Sequence, residues 1–268
     1  MAREKKAIIT GNKGYIAYNL EKYLTNAGYI VGGFDIKDGV DAATFSLPKK
    51  HGINVIIHLA AISSIAECEQ NIEAAVKNNI IASSNIFQIG LNNDVPVIFA
   101  SSQAAKSYDN STYGATKRYA ECYAKYFNAL GGKIRVLRLC NVYGGEKYLE
   151  DKTSVVAKFI NAKKSNKPCV INGDGSQTRD FVHVNDVCEA IYLAIHNDRD
   201  IDEIIDVGTG KEMSVLDLAK IVKCDITYNP SSKAVGATRN VANLAAASEL
   251  LGYHPRQSIE DYIKKLSF

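Results

Sequence analysis

No stretch of this sequence holds the ~20 consecutive apolar residues that a membrane-spanning helix needs. No two cysteines are spaced Cys-x-x-Cys, and lysine and arginine form no long run. The first absence excludes a transmembrane helix. The second, together with five histidines that lack ligand spacing, argues against a structural or catalytic metal. The third, with a formal charge of only +3, argues against nucleic acid as a partner. The Lys-Lys pairs at 5–6, 49–50, 163–164 and 264–265 are scattered and read as solvated surface. The opening residues, "MAREKKAIITG", run into a short apolar segment and a glycine loop rather than a secretory signal. The six cysteines (68, 122, 140, 169, 188 and 224) are therefore expected as reduced thiols in a cytoplasmic protein. There is no internal repeat and no low-complexity segment.

What is present is an α/β pattern. With 268 residues, 46% hydrophobic and 23% charged, the chain can bury a full core in one large domain or two closely packed lobes. "KAIIT" (6–10), "YIVGGFD" (29–35), "NVIIHLA" (54–60), "VPVIFAS" (95–101) and "KIRVLRL" (133–139) read as strands. Their lack of apolar–polar alternation predicts central strands of a parallel sheet, buried on both faces. Helical patterns at 14–28, 71–93 and 111–131 lie between them. Only 18 residues separate Asp35 from Asn54, too few for a helix, a strand and another helix. The sheet edge beyond the second strand is expected to be trimmed to a stub around "GVDAATF". After residue 144 the elements shorten: a helix at 153–164, strand–turn–strand at 168–184, a helix at 184–197, a strand at 203–210 and a helix at 214–222. Such pieces are too small to fold alone and predict a lobe packed on the sheet.

"TGNKGYIA" (10–17) follows the first strand and opens the first helix. Gly11 permits the tight turn, Gly14 allows a pyrophosphate close to the backbone, and Ala17 keeps the helix close to the strand. Asp35 ends the second strand 24 residues after Gly11. An acid there accepts hydrogen bonds from a ribose diol and repels a 2′-phosphate, which points to NAD rather than NADP.

In "STYGATKR" (111–118), Tyr113 and Lys117 stand four apart on one helix face. A free phenol titrates near ~10 and is a poor base at neutral pH, but a neighbouring ammonium favours the phenolate. Ser102 ends the strand before this helix and can hold the same substrate oxygen. Together they suit proton removal from a secondary alcohol whose hydride goes to a nicotinamide. Tyr119, Tyr123 and Tyr126 lack such partners and read as packing or interface residues.

These segments, with "HLAA" (58–61), "NNIIASSN" (78–85), "FASS" (99–102), "RLCNVYG" (138–144) and "GDGSQTRDFVHVNDV" (173–187), arrive in the order of a known family. From about residue 6 to 260 the chain resembles an extended short-chain dehydrogenase/reductase, the NAD-dependent epimerase/dehydratase family of UDP-galactose 4-epimerase-like nucleotide-sugar enzymes. The resemblance implies a Rossmann-type doubly wound parallel sheet with a smaller C-terminal α/β substrate lobe. It divides the chain into a dinucleotide-binding domain (1–144 plus 181–200) and a sugar-nucleotide lobe (145–180 plus 201–268). It implies NAD as cofactor, with Gly11, Gly14 and Ala17 at the pyrophosphate and Asp35 on the adenosine ribose. Tyr15, Ile16, Ile36, Leu59, Ala60, Ala61 and Asn79 line it, and Tyr113 and Lys117 meet its nicotinamide end. Ser102, Tyr113 and Lys117 are then catalytic. Ser102, Asn141, Val155, Asn172 and Arg179 hold a nucleotide-diphosphate sugar, with Arg179 on the diphosphate, and Val156 falls beside Val155. A guanidinium suits phosphate oxygens, and an ion pair with Asp180 or Asp186 is the lesser alternative for Arg179. The resemblance further implies a homodimer through the helices at 71–93 and 111–131.

The chain also departs from its relatives. Ten residues, "QAAKSYDNST", link Ser102 to Tyr113, a much longer span in typical members. Gln103 and Ala104 stand where dehydratases carry an Asp-Glu pair, which disfavours elimination of water. In "KAVGATRNVAN" (233–243), Lys233 or Arg239 substitutes for a second phosphate-contacting arginine. A nucleotide-sugar 4-epimerase working through a 4-keto intermediate is the expected function. A 4-reductase or dehydrogenase and a non-catalytic NAD-binding protein are the alternatives.

Overall fold

β-branched apolar runs that cannot alternate must be covered on both sides, and here helices cover them. A computed structural model of the chain describes residues 4–48, 52–150, 154–197, 199, 202–229 and 239–266. In chain order β1 (Lys5–Thr10), α1 (Tyr15–Asn26), β2 (Tyr29–Phe34), β3 (Val55–His58), α2 (Ile65–Gln70), α3 (Ile72–Ala75), α4 (Ala82–Asn93), β4 (Val97–Ser102), α5 (Thr112–Ala129) and β5 (Ile134–Leu139) form the first half. A wider π-helical turn, Val76–Ile81, joins α3 to α4. The second half runs β6 (Asn141–Tyr143), α6 (Val155–Lys164), β7 (Cys169–Asn172), β8 (Thr178–Arg179), β9 (Phe181–His183), α7 (Val184–Ile195), β10 (Ile205–Val207), β11 (Met213–Ser214), α8 (Val215–Val222), β12 (Ile226–Asn229), α9 (Ala245–Leu251) and α10 (Ile259–Lys265).

The main sheet is ordered β10-β5-β4-β3-β1-β2, and every pairing in it is parallel. The chain steps outward from β1 to β2 and then returns to the other side at β3. That reversal opens a crevice at the carboxyl ends of the strands, where open α/β sheets bind ligands. Ile9, Ile57, Ile98 and Leu137 pack with Leu20 and Leu24 of α1 and Val187 and Ile191 of α7. The alternate residues Ile56, Val97, Phe99 and Val136 pack with Ile86 and Phe87 of α4 and Ala120 and Phe127 of α5. This two-sided burial is the reason the strands read as continuous apolar runs.

β2 differs from the expectation of a central strand. It lies at the sheet's edge, with Ile30 exposed, because no further strand follows before β3. In place of the expected stub, Ile36–Asp38 make one 3-10 turn. Phe45 then stacks on Phe34 at 4.0 Å, and the Asn85 amide donates to the carbonyls of Ala42 and Phe45, both at 2.9 Å.

A third cluster, including Tyr143, Tyr148, Phe159, Ile160, Ile171, Leu218 and Ile263, forms the core of the C-terminal lobe. The segment 168–184 is not a hairpin. β7 pairs with β12, β8 with β11 and β9 with β6. Gly173 and Gly175, both at positive φ, and the Asp174 carboxylate, which accepts from the Ser176 N–H at 2.9 Å, swing the chain away between them. The division placing 201–268 in this lobe is crossed at β10. Ile205–Val207 extend the main sheet along β5 in register with Leu137–Leu139, satisfying an edge that would otherwise stay open.

A Cβ on Gly33 would lie 2.6 Å from the Asn12 Cβ and 2.7 Å from the Ile9 oxygen, whereas one on Gly32 would meet nothing within 4 Å. Gly33→Ala should therefore cost about 1–3 kcal/mol in denaturant unfolding. Gly32→Ala should stay within about 0.5 kcal/mol of the parent.

Candidate active site

The glycine loop turns at Gly11, whose φ is +71° and whose N–H donates to the Phe34 oxygen at 2.8 Å. A Cβ there would sit 2.8 Å from the Ala60 Cα, so glycine allows the loop after β1 to touch the loop after β3. Gly14 caps α1 with no side-chain cap bond, and no acid stands in the helix's first turn, which leaves that end suited to an anion. Asn12 Oδ1 in this loop is a buried acceptor without a protein partner. Asp35 is held by two backbone donors, Lys13 N–H at 3.2 Å and Lys37 N–H at 2.9 Å, so its carboxylate is oriented at the end of β2. Ile36 beside it is exposed, and Leu59, Ala60 and Ala61 lie half-buried after β3. Ala17 is buried and Ile16 half-buried. The Tyr15 side chain turns toward the lobe instead, donating to the Gly144 carbonyl at 2.5 Å. These residues fit a dinucleotide: a helix start for the pyrophosphate and an aimed acid for the ribose.

Behind the loop runs a buried polar chain. The Ala60 N–H donates to Thr10 Oγ1 at 3.1 Å, and Thr10 Oγ1 meets His58 Nδ1 at 2.7 Å. His58 Nε2 meets Ser83 Oγ at 3.0 Å, and Ser83 donates to the Asn79 carbonyl at 2.7 Å. Because Ser83 spends its proton on Asn79, His58 carries its own on Nε2 and accepts from Thr10 at Nδ1. Burial, with the charge of Lys117 adding to it, pulls His58 down to about 3, so it is neutral. Asn79 does not open onto the cleft here. Its Oδ1 accepts from the Ile62 N–H at 2.8 Å, and its Nδ2 donates to the Ile62 carbonyl and to Thr116 Oγ1, each at 3.0 Å. Thr116 in turn donates to the Tyr113 carbonyl at 2.8 Å, carrying the chain into the helix that bears the tyrosine.

Ser102, Tyr113 and Lys117 come together at the carboxyl end of β4. The Ser102 hydroxyl stands close enough to the Tyr113 phenol to favour its ionised form, and Ser102 Oγ accepts from the Ala104 N–H at 3.2 Å. Lys117 is buried, with Nζ donating to the Ala100 carbonyl at 2.8 Å and lying 4.9 Å from the Phe99 ring centre. The short link is a pair of 3-10 turns, Gln103–Asn110. It is tied down by a Lys106–Asp206 ion pair and by Thr112, which donates twice to the Glu69 carboxylate. Electrostatics depart from the expectation of a lysine-lowered phenol. Burial pushes Tyr113 up to about 12, against the Ser102 hydroxyl that lowers it. Burial also pulls Lys117 down to about 8, with Glu121 opposing. Lys117 is turned to the Ala100 carbonyl, and the cost of desolvating a phenolate dominates.

On the lobe side, Asn141 is exposed and its N–H donates to the Asp180 carbonyl at 3.0 Å, which brings it beside Arg179. Arg179 is half-buried, with Nη1 donating to the Thr178 carbonyl at 2.7 Å. Both acids considered as its ion partners have other engagements. Asp180 accepts from the N–H groups of Thr209, Gly210 and Ala242, and Asp186 from those of Arg256 and Gln257. Val155 is half-buried at the start of α6, while Val156 is a core residue. Asn172 is exposed at the end of β7. Arg239 pairs with Glu212 at 2.8 Å, and Lys233 lies outside the described residues.

Reading the sequence by motif passes over Thr10, His58 and Thr116, although a histidine inside "NVIIHLA" is a visible anomaly in an apolar run. It notes Gln103 only as a replaced acid, not that it is buried with neither amide atom partnered, and it passes over Glu121, whose only signal is its position four residues after Lys117. The neutral His58 has a consequence for stability. Between its ordinary value of 6.5 and its folded value of about 3, the unfolded chain binds a proton that the folded chain does not. Stability should therefore fall as pH drops through that window, and His58→Gln should flatten the slope by about 1.4 kcal/mol per pH unit in denaturant titrations.

Known proteins are similar to this chain. A model of the NAD dependent epimerase/dehydratase family matches residues 7–208. A putative UDP-glucose 4-epimerase from Methanocaldococcus jannaschii is 31% identical over 234 residues, which cover 80% of this chain and 76% of that protein. A UDP-N-acetyl-alpha-D-glucosaminuronate decarboxylase from Bacillus cytotoxicus is 25% identical, with 98% of this chain and 96% of that protein covered. Among solved structures, a UDP-glucuronic acid 4-epimerase from Bacillus cereus in complex with UDP-glucuronic acid and NAD is similar at a TM-score of 0.83 and 26% identity, covering 98% of this chain and all of that one. Because the family model spans the glycine loop, the serine strand, the Tyr113–Lys117 helix and the sixth strand of the sheet, the chain belongs to the NAD dependent epimerase/dehydratase family.

Proposed function

We propose that this protein is an NAD-dependent nucleotide-sugar 4-epimerase. The observation that carries the reading is the meeting of Tyr113, Ser102 and Lys117 at the sheet's carboxyl edge, beside the Gly11 loop and Asp35. NAD bound along that edge supplies a reversible hydride acceptor. Tyr113 moves the proton of the sugar's C4 hydroxyl, Ser102 holds the same oxygen, and Lys117 stabilises the phenolate once a ligand completes the cleft. Arg179 and Asn141 hold the diphosphate end, so that the sugar is tethered remotely while its ring turns. Loss of the proton and hydride leaves a ketone at C4, and their return on the opposite face inverts that carbon. Gln103 and Ala104 are not acids, which speaks against elimination of water at the neighbouring carbons. Six unpaired thiols fit a cytoplasmic setting.

The pairing face fits α5. Tyr119 and Tyr126 are exposed on it, with Leu130 exposed just past its end, and Tyr119 stacks on Tyr123 at 5.3 Å. A row of exposed aromatics suits a second copy of this chain. Tyr126→Glu should convert a dimer to a monomer in light scattering.

Purified protein with a panel of nucleotide sugars and trace NAD should form a C4 epimer without net NADH, read by NMR and absorbance. Stoichiometric NADH change would move the assignment to a reductase or dehydrogenase. Tyr113→Phe should lower kcat by at least about 10²-fold while leaving NAD binding intact. Full activity in that variant would remove the catalytic reading.

A further inference from the structure

One buried carboxylate has no part in the chemistry above. Glu121 lies on α5 one turn beyond Lys117 and is 0% exposed. Its oxygens accept from Arg138 Nε and Nη2 of β5, each at 2.6 Å. They also accept from Ser101 Oγ of β4 at 2.6 Å and from Arg118 Nη1 at 3.3 Å. Ser101 and Arg138 are register partners across the β4–β5 ladder, so one carboxylate bridges a strand pair and fastens it to the helix. Well-packed apolar side chains would hold these elements about as strongly, because desolvation offsets the attraction of a buried ion pair. What a two-pronged guanidinium–carboxylate contact adds is geometry.

From this clamp we infer that Glu121 is a positioning residue for Lys117 and Tyr113. It sets the rotation and rise of α5 on β4, and its charge, one turn along α5, favours the Lys117 ammonium. The inference rests on the reading of Lys117 and Tyr113 as the working pair. Sliding or rotating α5 would separate Tyr113 from Ser102, and Ser102 adjoins the strand residue that Glu121 grips. The groups around Lys117 leave Glu121 as its compensating charge. From β3, His58 is neutral. From α2, the Cys68 thiol is pushed up by burial and stays protonated, as does Tyr113 on α5. From β4 the partner is the Ala100 carbonyl. Arg118 and Arg138 hold the far side of Glu121. Burial pulls Lys117 down to about 8, and Glu121 is the largest influence raising it.

Two variants test this. Glu121→Gln keeps the side chain's shape and its bond from Ser101 but removes the charge. Lys117, followed by ¹⁵N NMR of its Nζ in the substrate-free protein, should then titrate about one unit lower. The alkaline limb of kcat/KM should move to lower pH by the same amount, because the ammonium form is lost earlier. Ser101→Ala removes one arm of the clamp without stranding a buried charge. It should lower kcat about three- to tenfold, with KM for the sugar nucleotide and the Lys117 titration unchanged. A folded Glu121→Gln protein whose Lys117 titrates as in the parent overturns the inference. So does a Ser101→Ala protein with parental kcat, and that second result decides alone if Glu121→Gln does not fold. The NMR titration needs no substrate, so it succeeds or fails independently of whether the sugar reaction is an epimerisation.

Discussion

For a phenol on a helix to meet a hydroxyl at the end of a strand, α5 must lie against β4 and the turns that follow it with almost no gap. Gly114 makes that approach possible. A Cβ at this position would sit 2.6 Å from the Ala104 oxygen, closer than a side chain can stand. The glycine of "YGATK" is therefore a packing requirement rather than a hinge. Ser111 caps the helix from the same side, accepting from the Gly114 N–H at 3.1 Å. The short link between Ser102 and Tyr113 works because both of its ends are fixed in this way. A longer loop would reach the same end points but would add its own surface to the cleft.

Polar groups buried around that contact divide into two sets. The chain through Thr10, His58, Ser83 and Asn79 joins the cofactor loop's strand to α4 and, through Thr116, to the backbone of Tyr113. Every proton in it has one placement, so it holds a single arrangement without any charge. The Glu121 cluster does the same on the other side of α5 with full charges. Burying charge is costly unless each oxygen is satisfied, and Glu121 meets that condition through three donor side chains. Removing a single donor from either set would leave a partner unsatisfied, at about 1–3 kcal/mol. Such networks specify one geometry more than they add stability.

Most of the architecture was legible in the sequence because it depends on local pattern. Five apolar runs became five strands, and "TGNKGYIA" became a strand–loop–helix. The readings that failed depended on what lies beside a segment. Nothing in "YIVGGFD" says that its outer neighbour is missing, although the 18-residue gap implied that the edge would be trimmed. The three short strands between Cys169 and His183 take partners from distant parts of the chain, which a local reading joins into a hairpin. Within the site, Ser102, Tyr113, Lys117, Asp35 and the glycines were visible by type and spacing. Asn79 was placed at the cofactor by resemblance, yet its amide is consumed by Ile62 and Thr116. Glu121 stands in no motif and His58 merely opens "HLAA", and their roles emerge only from burial and partners.

Under the proposed function the titrating groups bear on what the cofactor must supply. Burial pushes Tyr113 up to about 12 and pulls Lys117 down to about 8, so the pair by itself is not poised as a strong base. A phenolate here needs positive charge that the protein alone does not concentrate on it. Under the proposed function that charge arrives with the oxidised dinucleotide, which the Gly11 loop and Asp35 are shaped to hold. Basicity at Tyr113 then becomes conditional on cofactor, and a sugar hydroxyl entering first would meet a protonated phenol that can only donate a hydrogen bond. The same logic explains why Glu121 is useful at a distance. By raising Lys117 against its burial, it would preserve a cation on which a later lowering of Tyr113 can build.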